Sequence, residues 1–323
     1  MDDFLKRFFV FVVIQLFCFN LLIAQNANRE EVVFKSGDRV LSGTLVLPES
    51  AENVPVLIFI GGINEWGDPF PQRQPFIEQN LERTFLDAGV GVFYYQPRGV
   101  GDSDGRWHRT TLPGFADDAI AAVRYLKQRR EVNPQKIGLI GHGEDGWVAQ
   151  IVAAEAPSEI LFAASLAGPT FDAKRQLINE YHSEYMCAGE DSTTAYDKAV
   201  QKATSHQNWV SLFPYTKRWR HMSLKLDFEP ASYIREINLP FLFVFAENDG
   251  KVYADWAEEE LNNIFSGSIP SNFTVQSIPG ANHFFHVASP CFEYDESTRE
   301  SLERDFSFRF REVLRNWVFE QLQ

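Results

Sequence analysis

The chain has 323 residues, 45% hydrophobic and 23% charged, which fits one large α/β domain with an insertion or two average domains. That composition excludes a disordered or fibrous chain, and 30 basic against 44 acidic residues give a net charge of −14. A nucleic-acid partner requires clustered Lys and Arg and is not expected, and the overall charge argues for a soluble protein that avoids anionic surfaces.

At the amino terminus Lys6-Arg7 precede an apolar run from Phe8 to Ile23, which ends on Ala24. A basic head, a short apolar stretch and a small closing residue read as a secretory signal over residues 1–24, leaving 25–323 as one mature domain. The run includes Gln15 and Asn20 and is only about 16 residues long, short for a membrane span. The expectation is export to the periplasm or the exterior, without stable membrane insertion after cleavage; an uncleaved N-terminal anchor is the alternative. Bulky Phe17 before Cys18 does not suit a lipid-attachment site. Three cysteines are too few for a disulfide scaffold and lack zinc-site spacing. Once Cys18 is removed, Cys187 and Cys291 face an oxidising compartment, either bridged to each other or buried as free thiols.

No repeat with a period of roughly 20–50 residues and no low-complexity linker divides the chain. Val32–Lys35 and Val40–Leu47 flank Ser36-Gly37-Asp38, an opening hairpin. Val56–Ile60 is a continuous apolar strand, Phe76–Ala88 has helical spacing closed by Gly89, and Val90–Tyr95 is the next strand. Phe115–Arg130 places Ala119, Ala122, Val123 and Leu126 on one helical face. Strand Lys136–Ile140, helix Gly146–Ala156 and strand Ile160–Ala167 follow. Phe241–Ala246, Ala254–Phe265, Phe273–Ile278 and Ser297–Gln321 complete a strand, helix, strand, helix series. This alternation predicts a mostly parallel sheet with helices on both faces. Residues 169–230 break the rhythm with mixed helical pattern, and a structureless loop of that length is improbable, so they form a helical cap insertion.

Ligands in such sheets bind beyond the carboxyl ends of the strands, so the strand-to-helix junctions carry the chemistry. Ile137-Gly138-Leu139-Ile140-Gly141-His142-Gly143-Glu144-Asp145-Gly146-Trp147 reads as strand, sharp turn and helix. It resembles the nucleophile elbow of the α/β-hydrolase superfamily, Gly-x-Ser-x-Gly, with glycine at the serine position and aspartate at the second glycine. Arg98-Gly99-Val100-Gly101-Asp102-Ser103 resembles that fold's Arg-Gly-x-Gly-x-Ser turn, and Gly61-Gly62-Ile63 its first oxyanion loop. Glu247-Asn248-Asp249 and Gly280-Ala281-Asn282-His283 are similar to its acid and histidine loops, in the family's chain order. The resemblance runs from about residue 31 to 320 and is strongest to secreted esterase-like, dienelactone-hydrolase-like or serine-peptidase-like members. It implies an α/β-hydrolase fold with a cap between strands six and seven. It also implies an Asp249–His283 dyad, a nucleophile position at Gly143, and an oxyanion hole from the backbone N–H groups of Ile63 and Glu144.

A serine hydrolase needs a hydroxyl at the elbow to form an acyl-enzyme, and Gly143 has none. Loss of the nucleophile from a comparable triad removes about 10⁶ in kcat and leaves roughly 10³–10⁴ over water. Glu144 and Asp145 would further oppose the negative charge that develops there. The same residues suit a helix start, since glycine adopts the strained elbow conformation freely and early acids complement the helix dipole. Asp145 as nucleophile lies two positions late, with Trp147 where small packing is needed. Ser103 reads as a structural hydrogen-bonding residue, and His286 shares the histidine loop without the Asn-His order. No ligand-spacing motif supports a metal site from His142, Glu144, Asp249 and His283, and the third glycine of a dinucleotide motif after Gly99 and Gly101 is replaced by Asp104. No cofactor is implied.

The insertion is rich in Tyr181, Tyr185, Trp209, Phe213, Tyr215 and Trp219, with Lys217, Arg218, Arg220 and His221. These either pack the cap on the sheet or line an apolar pocket whose basic rim selects acidic ligands. The expected function is a catalytically impaired pseudo-hydrolase that binds a small or peptide-like ligand under the cap. Two alternatives stand beside it: an ester or amide hydrolase using an unconventional nucleophile or a His283-activated water, and a partner-binding module acting through the cap.

Overall fold

Runs of β-branched and aromatic residues set the strands, and their burial tells which are covered on both faces. The computed structural model describes residues 27–49, 52–61, 67–292, 297–302 and 304–323; the expected signal segment lies outside the described residues. Its strands are β1 (Asn28–Ser36), β2 (Arg39–Leu47), β3 (Val54–Ile60), β4 (Gly91–Tyr95), β5 (Val132–His142), β6 (Phe162–Leu166), β7 (Phe241–Ala246) and β8 (Phe273–Ile278). They form one sheet in the order β1-β2-β4-β3-β5-β6-β7-β8. β2 pairs antiparallel with β1 and with β4, and the remaining pairings are parallel.

β4, β6 and β7 are buried along their whole length, β4 and β7 as continuous apolar runs and β6 with Ser165 inside it. Alternate residues of β3 enter different cores: Val56, Ile58 and Ile60 on one face, Leu57 and Phe59 on the other. At the edge, β1 buries Val32 and Phe34 and exposes Val33. Ser36 pairs with Arg39, so Gly37-Asp38 is a two-residue turn, with Gly37 left-handed at φ 60°.

The helix Leu112–Leu126 buries Phe115, Ala119, Val123 and Leu126 at helical spacing, and the Thr111 hydroxyl caps it by accepting from the Gly114 N–H. The elbow helix, Asp145–Glu155, is buried from Gly146 to Ala153 and fills the space behind the sheet centre. Between β6 and β7 the insertion folds as helices Ala173–Cys187, Ser192–Leu212, Lys217–Ser223 and Pro230–Glu236. Asp172, Asp191 and Thr216 cap the first three through their side-chain oxygens.

Two expected helices differ. Phe76–Ala88 is not a regular α-helix: Ile77–Glu82 is π-helical and Leu86–Ala88 is 3-10 before Gly89 at φ 80°. Burial of Asn80 and Glu82 alongside Ile77 and Leu81 widens the inward face beyond one α-helical stripe. The last helix, read as Ser297–Gln321, divides into Arg299–Leu302 and Phe308–Leu322. Backbone pairing with the histidine loop wins there: Phe306 bridges to His286, and Asp305 accepts from the Val287 N–H. The Ser307 hydroxyl then restarts the helix by accepting from Phe310.

Candidate active site

β5 ends at His142 and the elbow helix begins at Asp145, so Gly143 must turn the chain within two residues, and it does so at φ 59°. Its N–H donates to Leu166 at 2.9 Å, and its carbonyl accepts from Gly146 at 2.9 Å. A Cβ built on Gly143 would meet His283 Nε2 at 3.1 Å, tighter than a side chain ordinarily tolerates. The imidazole therefore stands against the elbow, in space that a nucleophile's side chain would share. Among the described residues no protein group accepts the Glu144 N–H, the expected oxyanion donor. Ile63, the other expected donor, lies outside the described residues.

Asp249 follows β7 and is buried. Its Oδ1 accepts from the Lys251 and Val252 N–H groups at 2.7 and 3.1 Å, and its Oδ2 meets His283 Nδ1 at 2.8 Å. A carboxylate can only accept, so Nδ1 carries the proton and Nε2 turns its lone pair to the elbow. The Asn282 side chain accepts from the Phe284 and His286 N–H groups and holds the loop. His142 Nε2 donates to the His283 carbonyl at 2.8 Å. Burial and the neighbouring His283 push the His142 pKa down to about 3, so this ring is a neutral structural donor. His286 likewise bonds the Arg304 carbonyl at 3.0 Å and stacks on Phe306, away from the elbow.

The two acids after Gly143 have different fates. Burial alone would raise the Glu144 pKa, but the Lys225 ammonium and His221 reverse this and hold it well below the usual carboxylate range. Its carboxylate accepts from His221 Nε2 at 2.8 Å and from Lys225 Nζ. Asp145 is pushed up to about 7, first by burial and then by the Glu144 charge, against the pull of Arg73 and Lys225. Arg73 spends its donors on the Gly61 and Tyr95 carbonyls, at 2.8 and 3.0 Å. The repulsion expected from two anions is thus reduced: one is paired and the other holds its proton more firmly than an ordinary aspartate.

Above the elbow lies a cavity of about 570 Å³, lined by Gly143, Asp145 and His283 from below and by Gln176, Tyr181 and Arg218 from the cap. Of the six insertion aromatics, Tyr181 alone reaches it; Trp209 and Tyr215 are exposed. The lining is of mixed charge, since Glu180 and Glu184 join Arg218 and Lys251, so a purely basic rim is not what the cap provides. Cys187, at the end of a cap helix, forms a disulfide with Cys291, beyond the histidine loop, with Cα atoms 5.5 Å apart. Ser103 accepts from the Ser42 N–H and donates to the Gln96 carbonyl, and Arg98 pairs with buried Asp118 at 2.5 Å. Among the described residues no group of three or more His, Cys, Asp or Glu is arranged to hold a metal.

Sequence reasoning missed Lys225 and Arg73. No local signal joins Lys225 to a partner 81 positions away, and a lone Arg in a helical segment gives no hint of burial.

This strand order, with an elbow after β5, an acid after β7 and a histidine after β8, defines an α/β-hydrolase. Within that class, the model of the X-Pro dipeptidyl-peptidase (S15) family matches residues 36–225, and the chain belongs to that family. No curated protein compared with it matches. Among solved structures, the Pyrococcus furiosus esterase Pf2001 is similar at 17% identity and a TM-score of 0.57, over 92% of this chain and 90% of that one. Est1E from Butyrivibrio proteoclasticus with bound ferulic acid is similar at 16% identity and a TM-score of 0.58, over 90% and 99%. Proline iminopeptidase from Mycobacterium smegmatis is similar at 15% identity and a TM-score of 0.57, over 90% and 98%.

Proposed function

We propose that this chain binds a small or peptide-like ligand in the cavity beneath its cap and does not turn it over through an acyl-enzyme. The observation that carries this reading is Gly143, left-handed at the elbow, with His283 Nε2 only 3.1 Å from where a Cβ would stand. The imidazole has a base's tautomer and orientation but no hydroxyl to deprotonate. Its remaining capacity is that of a hydrogen-bond acceptor in a cavity that also offers the Glu144 N–H and the Asp145 carboxyl. Export of the mature domain is part of the proposal, supported by the basic-then-apolar N-terminal sequence and by the Cys187–Cys291 bridge, which persists in oxidising compartments.

The test is turnover of an activated ester by the purified mature domain. Hydrolysis at the buffer rate, unchanged in His283→Ala, is the expected result. Turnover well above buffer that disappears in His283→Ala would sink the proposal and favour the second reading, in which His283 activates a water. That reading draws on one observation, the intact Asp249–His283 hydrogen bond.

A further inference from the structure

Single exposed apolar side chains are ordinary, but contiguous ones rimmed by charge mark interaction sites. Where the Ser192–Leu212 helix ends, Trp209, Leu212, Phe213 and Tyr215 are all exposed, Leu212 at 68% and Tyr215 at 78%. Their rings form a ladder, Trp209 to Phe213 at 5.5 Å and Phe213 to Tyr215 at 5.7 Å.

Cations gather beside the ladder. The Lys217–Ser223 helix packs on the Trp107–Arg109 turn, with the Trp107 and His221 rings 5.2 Å apart. After burial, the influences that lower the His108 pKa are the charges of Lys217, Arg109, Arg220 and Arg106, all positive. Arg106, Arg109 and Lys217 are exposed, and none of the four has a carboxylate partner among the described residues. Asp104, the acid nearest in sequence, is turned to the Val40 N–H at 3.0 Å. Arg220 Nε donates to the Pro214 carbonyl at 3.4 Å, inside the aromatic segment, which joins the cation group to the rings.

We propose that this surface docks on an anionic lipid membrane, with Trp209, Leu212, Phe213 and Tyr215 entering the headgroup boundary and the four cations meeting lipid phosphates. Trp and Tyr settle at such boundaries because each has an apolar body and a polar tip. Screening over about 8–10 Å at physiological salt makes the local patch, and not the net −14, the charge that a membrane meets. Exposed Leu212 favours lipid over an anionic polysaccharide, which would use the cations and stack on the rings but has no use for an aliphatic side chain. Docking is peripheral: among the described residues no helix is long and apolar enough to cross a membrane. Arg218 and Met222, on the same cap helix, line the cavity, so a docked molecule holds its cavity close to the lipid surface.

Flotation of the mature domain with vesicles tests this. Vesicles of phosphatidylcholine with added phosphatidylglycerol should carry the protein, and pure phosphatidylcholine should not. Trp209→Ser with Tyr215→Ser, and separately Lys217→Glu with Arg220→Glu, should each lower the bound fraction roughly tenfold. Tyr215→Ser alone, at the most exposed of the rings, gives a partial loss and guards against misfolding. Absence of binding to the phosphatidylglycerol vesicles overturns the proposal. So does binding that depends on the cations but not the rings and is matched by heparin, which assigns a soluble polyanion. Dimerisation abolished by the ring changes, without vesicle binding, also overturns it and assigns a second copy.

Discussion

At the histidine loop the acid and the histidine are both fastened to the backbone. Asp249 accepts from two backbone N–H groups as well as from His283, and the His283 carbonyl is held by buried His142. At the elbow Gly143 bonds its N–H and its carbonyl within the chain, whereas the Glu144 N–H has no protein acceptor among the described residues, and a Cβ on Gly143 would stand 3.1 Å from His283 Nε2. The difference lies in what each residue does apart from catalysis. An acid and a histidine that also fasten a loop retain a structural reason to be there, whereas an elbow hydroxyl serves only the reaction and forces a left-handed backbone on a non-glycine residue. Glycine at 143 adopts that conformation without strain, and the acid–histidine pair is built into its loop.

The largest effect expected from breaking this contrast is at the bridge on the histidine-loop side. Cys187→Ala with Cys291→Ala opens a closure 104 residues apart and should cost about 2–5 kcal/mol in urea unfolding of the oxidised mature domain. No loss would mean that the bridge does not support this side. Next comes Asp249. Its replacement by Ala leaves two loop N–H groups without their acceptor and should cost about 2–4 kcal/mol, while Asp249→Asn, which can still accept from both, should cost clearly less. Equal losses for the two variants would leave the dyad without a structural reason to persist. Gly143→Ser should lose about 1–3 kcal/mol from its left-handed backbone and from crowding His283. Labelling of that variant by a serine-directed probe, once the imidazole yields a few tenths of an ångström, would show that Asp249 and His283 can activate a hydroxyl at this elbow; an unlabelled variant would show that they cannot.

The smallest effect separates the two elbow acids. The folded pKa of Asp145 lies at about 7, above the ordinary aspartate value of 3.8, so its contribution is fully present below about pH 4 and is lost as pH rises through about 7. Asp145→Asn should therefore be stabilising near pH 8 relative to the native chain, and neutral near pH 4. Screening by water in the cavity reduces the difference to the order of 1 kcal/mol. A melting-temperature difference that does not change with pH would show that this carboxyl is not the one titrating.

Much of the fold was readable because β3, β4 and β7 are unbroken apolar runs and because the turns after β5, β7 and β8 are marked by short motifs. The elbow, Asp249 and His283 came from those motifs, and burial played no part in finding them. What stayed hidden depends on partners far apart in the chain. The π-helical stretch Ile77–Glu82 has ordinary helical spacing, and the interruption before Phe308 contains neither Pro nor Gly to announce it. The Glu144–Lys225 pair and the grouping of Arg106 and Arg109 with Lys217 and Arg220 arise only when the cap folds down on the sheet. Periodicity cannot report them.

The contact of Glu144 with Lys225 and His221 gives the insertion a fastening unlike the one at Cys187. One is a covalent hinge, indifferent to electrolyte. The other is ionic and fixed to the first turn of the elbow helix, and concentrated salt weakens it while leaving the bridge intact. Reductant therefore acts on one fastening of the cap and electrolyte on the other, and the second is fixed to the residue beside Gly143.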